Sequence, residues 1–113
     1  MAMVRKFLDL STAHLTPMDA DYLEEAAAEW EVIARGGGSA SVTCGRLPFG
    51  FFVHASDEPC EDVPDNIKRV MARARELDCD YILFDQDAEP CEGLPLFDAE
   101  TGQETTWEAL QAA

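Results

Sequence analysis

The chain has 113 residues, 47% of them hydrophobic, with 23 Asp and Glu against 8 Lys and Arg and a formal net charge of −15. Such a length suits one folded domain, and the apolar content is too high for a disordered acidic tail. No apolar run approaches the ~20 residues needed to cross a bilayer, and a charge of this sign repels nucleic acid and anionic membranes.

Met1 to Lys6 lacks the apolar stretch of a signal peptide and leads straight into a strand-like pattern, which points to a cytoplasmic protein. Met3 to Leu10 reads as the first strand, through Val4, Phe7, Leu8 and Leu10. Ser11 to Leu15 connects it to a helix that starts at Thr16-Pro17-Met18-Asp19. Thr16 can cap, Pro17 fits the first helical position, and Asp19 sits three residues after the cap. Met18, Tyr22, Ala26, Trp30 and Ile33 recur at helical spacing, and Arg35-Gly36-Gly37-Gly38 ends the helix.

Ser39 to Leu47 reads as a second strand and Phe49 to Ala55 as a third, with Gly45-Arg46-Leu47-Pro48 suiting a hairpin between them. An acidic loop from Asp57 to Asp65 follows, with Pro59 and Pro64. A second helix over Pro64 to Leu77 carries Ile67, Val70, Met71, Ala74 and Leu77 on one face. Asp80 to Asp85 is a fourth strand. The remainder is loop-rich and closes in a short hairpin or a helical turn bearing Trp107 and Leu110.

The order β-α-β-β-α-β predicts an α+β, ferredoxin-like domain. Its four-stranded antiparallel sheet would run 4-1-3-2 with both helices on one face. The whole of 1–113 forms one domain, with a core of about 3–98 and a tail of 99–113. Strand two is then a sheet edge, and the open face would present Phe49, Phe51 or Phe52. The fold hosts many functions and decides none.

No complete catalytic motif is present. Asp85, Asp87 and Glu89 alternate after strand four, as ligands of a hard divalent cation can, which keeps a metal-dependent enzyme or metal-binding protein as one alternative. The spacing does not match an EF-hand loop. His14 and His54 would lie at opposite ends of the sheet, so each reads as a hydrogen-bonded structural residue. Cys44, Cys60, Cys79 and Cys91 contain no Cys-x-x-Cys pair and read as free, packed thiols. Gly36-Gly37-Gly38 follows a helix rather than opening one, the wrong context for cradling a phosphate. No cofactor is expected.

The charge layout says more. Lys68, Arg69, Arg73 and Arg75 gather half of the positive residues in the second helix, whereas no Lys or Arg follows Glu76. In the expected topology the loops after strands three and four share one end of the sheet. That would join Asp57, Glu58, Glu61 and Asp62 to Asp85, Asp87, Glu89 and Glu92 in one acidic surface. Duplex DNA carries about 20 charges over ~34 Å, roughly the width of a domain this size. A net charge of −15 approaches that density. Solvation alone also favours acidity.

Three stretches carry a family resemblance: Leu8-Asp9-Leu10-Ser11-Thr12-Ala13-His14-Leu15, Gly50-Phe51-Phe52-Val53-His54, and Cys79 to Pro90 running on to Gly93-Leu94-Pro95-Leu96-Phe97-Asp98. Together they resemble a family of small bacterial proteins classed as a domain of unknown function, whose members occur on phages, plasmids and other mobile elements. The resemblance brings no activity and no catalytic residue. It implies a setting in which small acidic proteins block restriction or CRISPR systems, some by imitating DNA.

The expectation is therefore a protein that binds without turnover. Its partner would be a protein with a basic, nucleic-acid-binding surface, and the eight acids of the two loops would be the contacts. A dimeric regulatory or accessory protein is the other alternative.

Overall fold

The computed structural model of the chain describes residues 2–33, 36 and 41–112. Arg35, Gly37 and Gly38 of the expected helix stop, and Ser39 and Ala40 of the expected second strand, lie outside them. β1 (Phe7–Ser11) is followed by a single 3-10 turn at Thr12–His14 and by α1 (Pro17–Ile33). β2 (Cys44–Leu47) and β3 (Gly50–His54) form a hairpin. α2 (Asp65–Glu76) and β4 (Tyr81–Asp85) complete the expected order. Of the two alternatives for the end of the chain, the helical turn bearing Trp107 and Leu110 is present as α3 (Trp107–Gln111); a hairpin of β5 (Leu96–Phe97) and β6 (Glu104–Thr105) stands before it and carries neither residue.

α1 starts where its end is satisfied. Thr16 Oγ1 accepts from the Asp19 N–H at 3.1 Å, and the Asp19 carboxylate accepts from the Thr16 N–H at 3.0 Å, a reciprocal capping box. The buried face of α1 runs through Asp19, Leu23, Ala26 and Ala27, whereas Met18 is 82% exposed. The expected face was displaced by one residue, because the polar Asp19 occupies a core position and hides the period. α2 buries Ile67, Val70, Met71 and Ala74 as expected, and Leu77 is its half-exposed C-cap.

The sheet is mixed, and its order corrects the ferredoxin-like expectation. It runs β1-β4-β3-β2, with β1 parallel to β4 and the other neighbours antiparallel. The cause is the stretch from Ala55 to Pro64. Ala55 N–H donates to Asp80 O at 2.8 Å, so the chain leaves β3 beside the point where it enters β4. Asn66, in the first turn of α2, reaches the carbonyl of His14 at 2.8 Å, beyond the other end of the sheet. The loop therefore climbs the height of the domain before α2 descends. This places β4 antiparallel to β3, where a split βαβ would have made them point the same way.

Both helices cover one face of the sheet. Leu8, Ile82, Val53 and Cys44 share one inward row, and Leu10, Phe84 and Phe51 share the next. They join Leu23, Ile67, Val70 and Met71 in one core. Each large side chain buried there contributes about 1.5–3 kcal/mol. β4 sits so close to the start of β3 that a Cβ on Gly50 would overlap the carbonyl oxygen of Phe84. β2 is a sheet edge, as expected, and β1 is the other. No helix among the described residues is long and apolar enough to cross a membrane.

Candidate interaction surfaces

The two acidic loops leave the sheet at opposite ends. His54 faces Tyr81 and Gly50 faces Asp85 across the β3–β4 pair, so the loop carrying Asp57 leaves one end of the sheet and that carrying Asp85 leaves the other. The rise of a strand puts these departure points roughly 13 Å apart. The single end of departure expected from a 4-1-3-2 sheet is therefore corrected: each acidic loop leaves from its own end.

The first cluster runs over the helix layer. Asp57, Glu58, Glu61 and Asp62 are all exposed. Glu58 is held by its N–H on Ser56 Oγ at 3.1 Å. Asp62 accepts from Ser41 Oγ at 2.6 Å and from the Tyr22 hydroxyl at 3.5 Å. Burial, with the Asp62 charge second, raises the Tyr22 pKa above the usual phenol value. Lys68 Nζ reaches Glu61 O at 3.3 Å, so part of the basic stripe of α2 serves this loop. Arg73 pairs with Glu76, and Arg75 with Asp80. Two of the four basic residues of the expected cluster thus pair with the molecule's own acids.

The second cluster surrounds the turn after β4. Asp87, Glu89 and Glu92 are exposed and Asp85 is half-buried. Asp85 Oδ1 accepts the Asp87 N–H at 2.9 Å, an Asx turn that folds this carboxylate back on its own backbone. Among the described residues, no group of three or more His, Cys, Asp or Glu is placed to hold a metal ion. Asp85, Asp87 and Glu89 do not converge.

This end of the sheet is pinned from beneath by a buried polar network. His14 is fully buried. Its Nε2 accepts the Cys91 N–H at 2.8 Å, and its Nδ1 lies 2.8 Å from Pro95 O. An Nε2 that accepts requires the proton on Nδ1, so the ring is neutral and donates to Pro95. Burial lowers its pKa, partly offset by the Pro95 hydrogen bond. Asn66 Nδ2 donates to His14 O and, at 2.7 Å, to Asp19 Oδ2. Ser11 N–H donates to Glu89 O at 3.2 Å. The structural role expected for His14 is met in full, and His54 lies apart from it on the other side of the sheet, edge-on to Tyr81 at 5.4 Å.

The face of the sheet opposite the helices is open. Alternation puts Phe7, Asp9, Phe52, His54, Tyr81, Leu83 and Asp85 on it. Of the three phenylalanines expected there, Phe52 is present. Phe51 points into the core and Phe49 sits in the hairpin turn at 37% exposure. Phe7, Asp9, Tyr81 and Leu83 were missed, although the strict alternation of Phe7-Leu8-Asp9-Leu10 was there to show it. All four cysteines are free; Cys44 and Cys79 are buried as expected, Cys91 is half-buried, and Cys60 is exposed.

Residues 7–99 match the model of a family described as a family of unknown function (DUF5983), C-terminal domain. No curated protein and no solved structure matched the chain. The chain belongs to the DUF5983 family.

Proposed function

We propose that this chain is a non-enzymatic acidic binding domain whose partner is a protein with a basic, nucleic-acid-binding surface. One observation carries the reading. Among the described residues the ion pairs engage only Glu24, Glu76 and Asp80 of the 23 carboxylates. Most of the others are exposed, including seven of the eight loop acids named above. A globule with a Cα radius of gyration of 14.2 Å and a net charge of −15 presents a field comparable to that of a short duplex.

The first acidic loop runs along the helix layer and the second surrounds the turn after β4, so the surface offered is broad. A partner groove built to hold a phosphate backbone extends over such a distance. The resemblance to mobile-element proteins gives this chemistry a purpose: an inhibitor that occupies the nucleic-acid groove of a CRISPR effector or a restriction enzyme.

The test is displacement. Labelled duplex DNA is bound to purified CRISPR effectors and restriction enzymes, and its anisotropy is followed as the chain is added. The expected result is release of DNA from at least one of them, with inhibition weakening steeply as salt rises. Undisturbed DNA across the panel, even at low salt, would sink the reading.

A further inference from the structure

The open face of the sheet carries a continuous apolar strip. Phe7, Tyr81 and His54 share one row across β1, β4 and β3, and Asp9, Leu83 and Phe52 share the next. Phe7 meets Phe52 edge-on at 6.0 Å, and Phe52 stacks on Tyr81 at 5.1 Å. Phe7 is 51% exposed, and Phe52, Tyr81 and Leu83 are half-buried. Met3 and Val4, in the segment before Phe7, are 75% and 96% exposed. Single exposed apolar side chains need no explanation, but a contiguous strip rimmed by charge marks an interaction surface.

Two carboxylates close one end of the strip. Asp9 and Asp85 point to the same face from diagonal positions on β1 and β4, and among the described residues no cation pairs with either. Partial burial and the neighbouring Asp85 charge raise the Asp9 pKa above the ordinary carboxylate value, so an incoming cation there relieves a repulsion.

We propose that this open sheet face docks a basic amphipathic segment of a protein partner. Its apolar side chains lie on Phe7, Phe52, Tyr81 and Leu83, and its Lys or Arg on Asp9 and Asp85. The proposal rests on the acidic-binder reading and names the face that does the binding. Charge complementarity selects the occupant. A second copy would bring Asp9 and Asp85 against the same carboxylates at a net −15 on each side. Nucleic acid would find aromatic rings to stack on, but its phosphates would meet the two carboxylates.

The experiment follows backbone amide shifts by NMR as a synthetic Leu/Lys amphipathic helical peptide is added, with an all-Lys peptide of equal charge as control. The expected shifts centre on Phe7, Asp9, Phe52, Tyr81 and Leu83. Phe7→Ser and Asp9→Lys each weaken binding by about tenfold or more, the size of an interface hot spot. Both positions are exposed, so a well-dispersed spectrum shows that each variant is folded. Equal binding of both peptides, shifts confined to the acidic loops or α1, or no binding of either peptide would each overturn the proposal. The same variants enter the DNA-displacement assay. Displacement unaffected by both substitutions rejects the face and keeps the acidic binder. Failure of the unsubstituted chain to displace DNA rejects the acidic binder, while the peptide shifts still judge the face.

Discussion

The backbone N–H of Cys91 donates to Nε2 of His14 at 2.8 Å, and this bond fixes the ring as the neutral tautomer that donates from Nδ1 to Pro95. It ties the segment after β4 to the turn after β1, and so holds the acidic turn at Asp85 to Glu89 in place. Protonating Nε2 would set two N–H groups against each other inside a buried site.

The first prediction concerns pH. The folded-state pKa of His14 lies below its ordinary value of 6.5, with burial as the main cause. Below that pH the unfolded chain takes up a proton that the folded chain refuses. Stability is therefore fully present above about pH 6.5 and falls as acid is added, by at most about 1.4 kcal/mol per pH unit. The fall levels off once the folded-state pKa is passed. Asp98, whose pKa is lowered by the N–H groups of Thr101 and Glu100, acts only in the lower window beneath its ordinary value of 3.8. Urea unfolding between about pH 8 and about pH 5 checks this. A flat profile, or the same slope in His14→Gln, would show that His14 is not the group responsible.

The second prediction concerns the close approach of β3 and β4. A side chain at Gly50 collides with the Phe84 backbone, whereas Gly45 has open space where a Cβ would stand. Gly50→Ala is expected to cost at least about 3 kcal/mol, at the severe end of single substitutions. Gly45→Ala should stay within about 1 kcal/mol. Equal stability of the two variants by urea denaturation would contradict the packing described for the β3–β4 pair.

The third prediction concerns the start of α1. Thr16→Ala removes one cap acceptor and should cost about 1 kcal/mol. Asp19→Ala should cost more. It leaves the Thr16 N–H and Asn66 Nδ2 without the shared Asp19 Oδ2, in a buried network. A double-mutant cycle should show coupling of about 0.5 kcal/mol or more. Purely additive effects would mean that the two side chains act separately.

How much of this was legible in the sequence depended on where local patterns decide. The capping box, the buried face of α2 through Ala74 and the final helical turn at Trp107 follow from short-range rules, and they stand where those rules put them. Strand order does not follow from element order, because βαββαβ is compatible with either β1 or β4 at the centre. A signal existed all the same. Tyr81-Ile82-Leu83-Phe84 is apolar on both faces, as a central strand requires. Phe7-Leu8-Asp9-Leu10 turns a charge outward, as edge strands do. The span and two prolines of the Asp57–Asp65 loop were equally visible, but nothing local says that a loop recrosses a domain. That one crossing reversed β4 relative to β3, so the two acidic loops depart from opposite ends instead of the shared one expected.

The last prediction concerns the thiols, which sample four environments. Cys60 is exposed on the acidic loop, and Cys91 is half-buried with its N–H bonded to His14. Cys44 is buried against the Leu23 carbonyl, and burial, with the Glu24 charge second, pushes its pKa up to about 12. Cys79 is buried beside the end of α2. Since the thiolate is the reactive form, rates should follow exposure and acidity together. Cys60 should react first with a thiol reagent under native conditions and Cys91 more slowly. Cys44 and Cys79 should react only as the fold opens. Peptide mapping of the labelled chain at successive times reads this order directly. Early labelling of Cys44 would mean that the layer between α1 and β2 opens far more readily than its packing allows. Protection of Cys60 would mean that the Asp57–Asp65 loop is covered in solution, by another molecule or by a second copy.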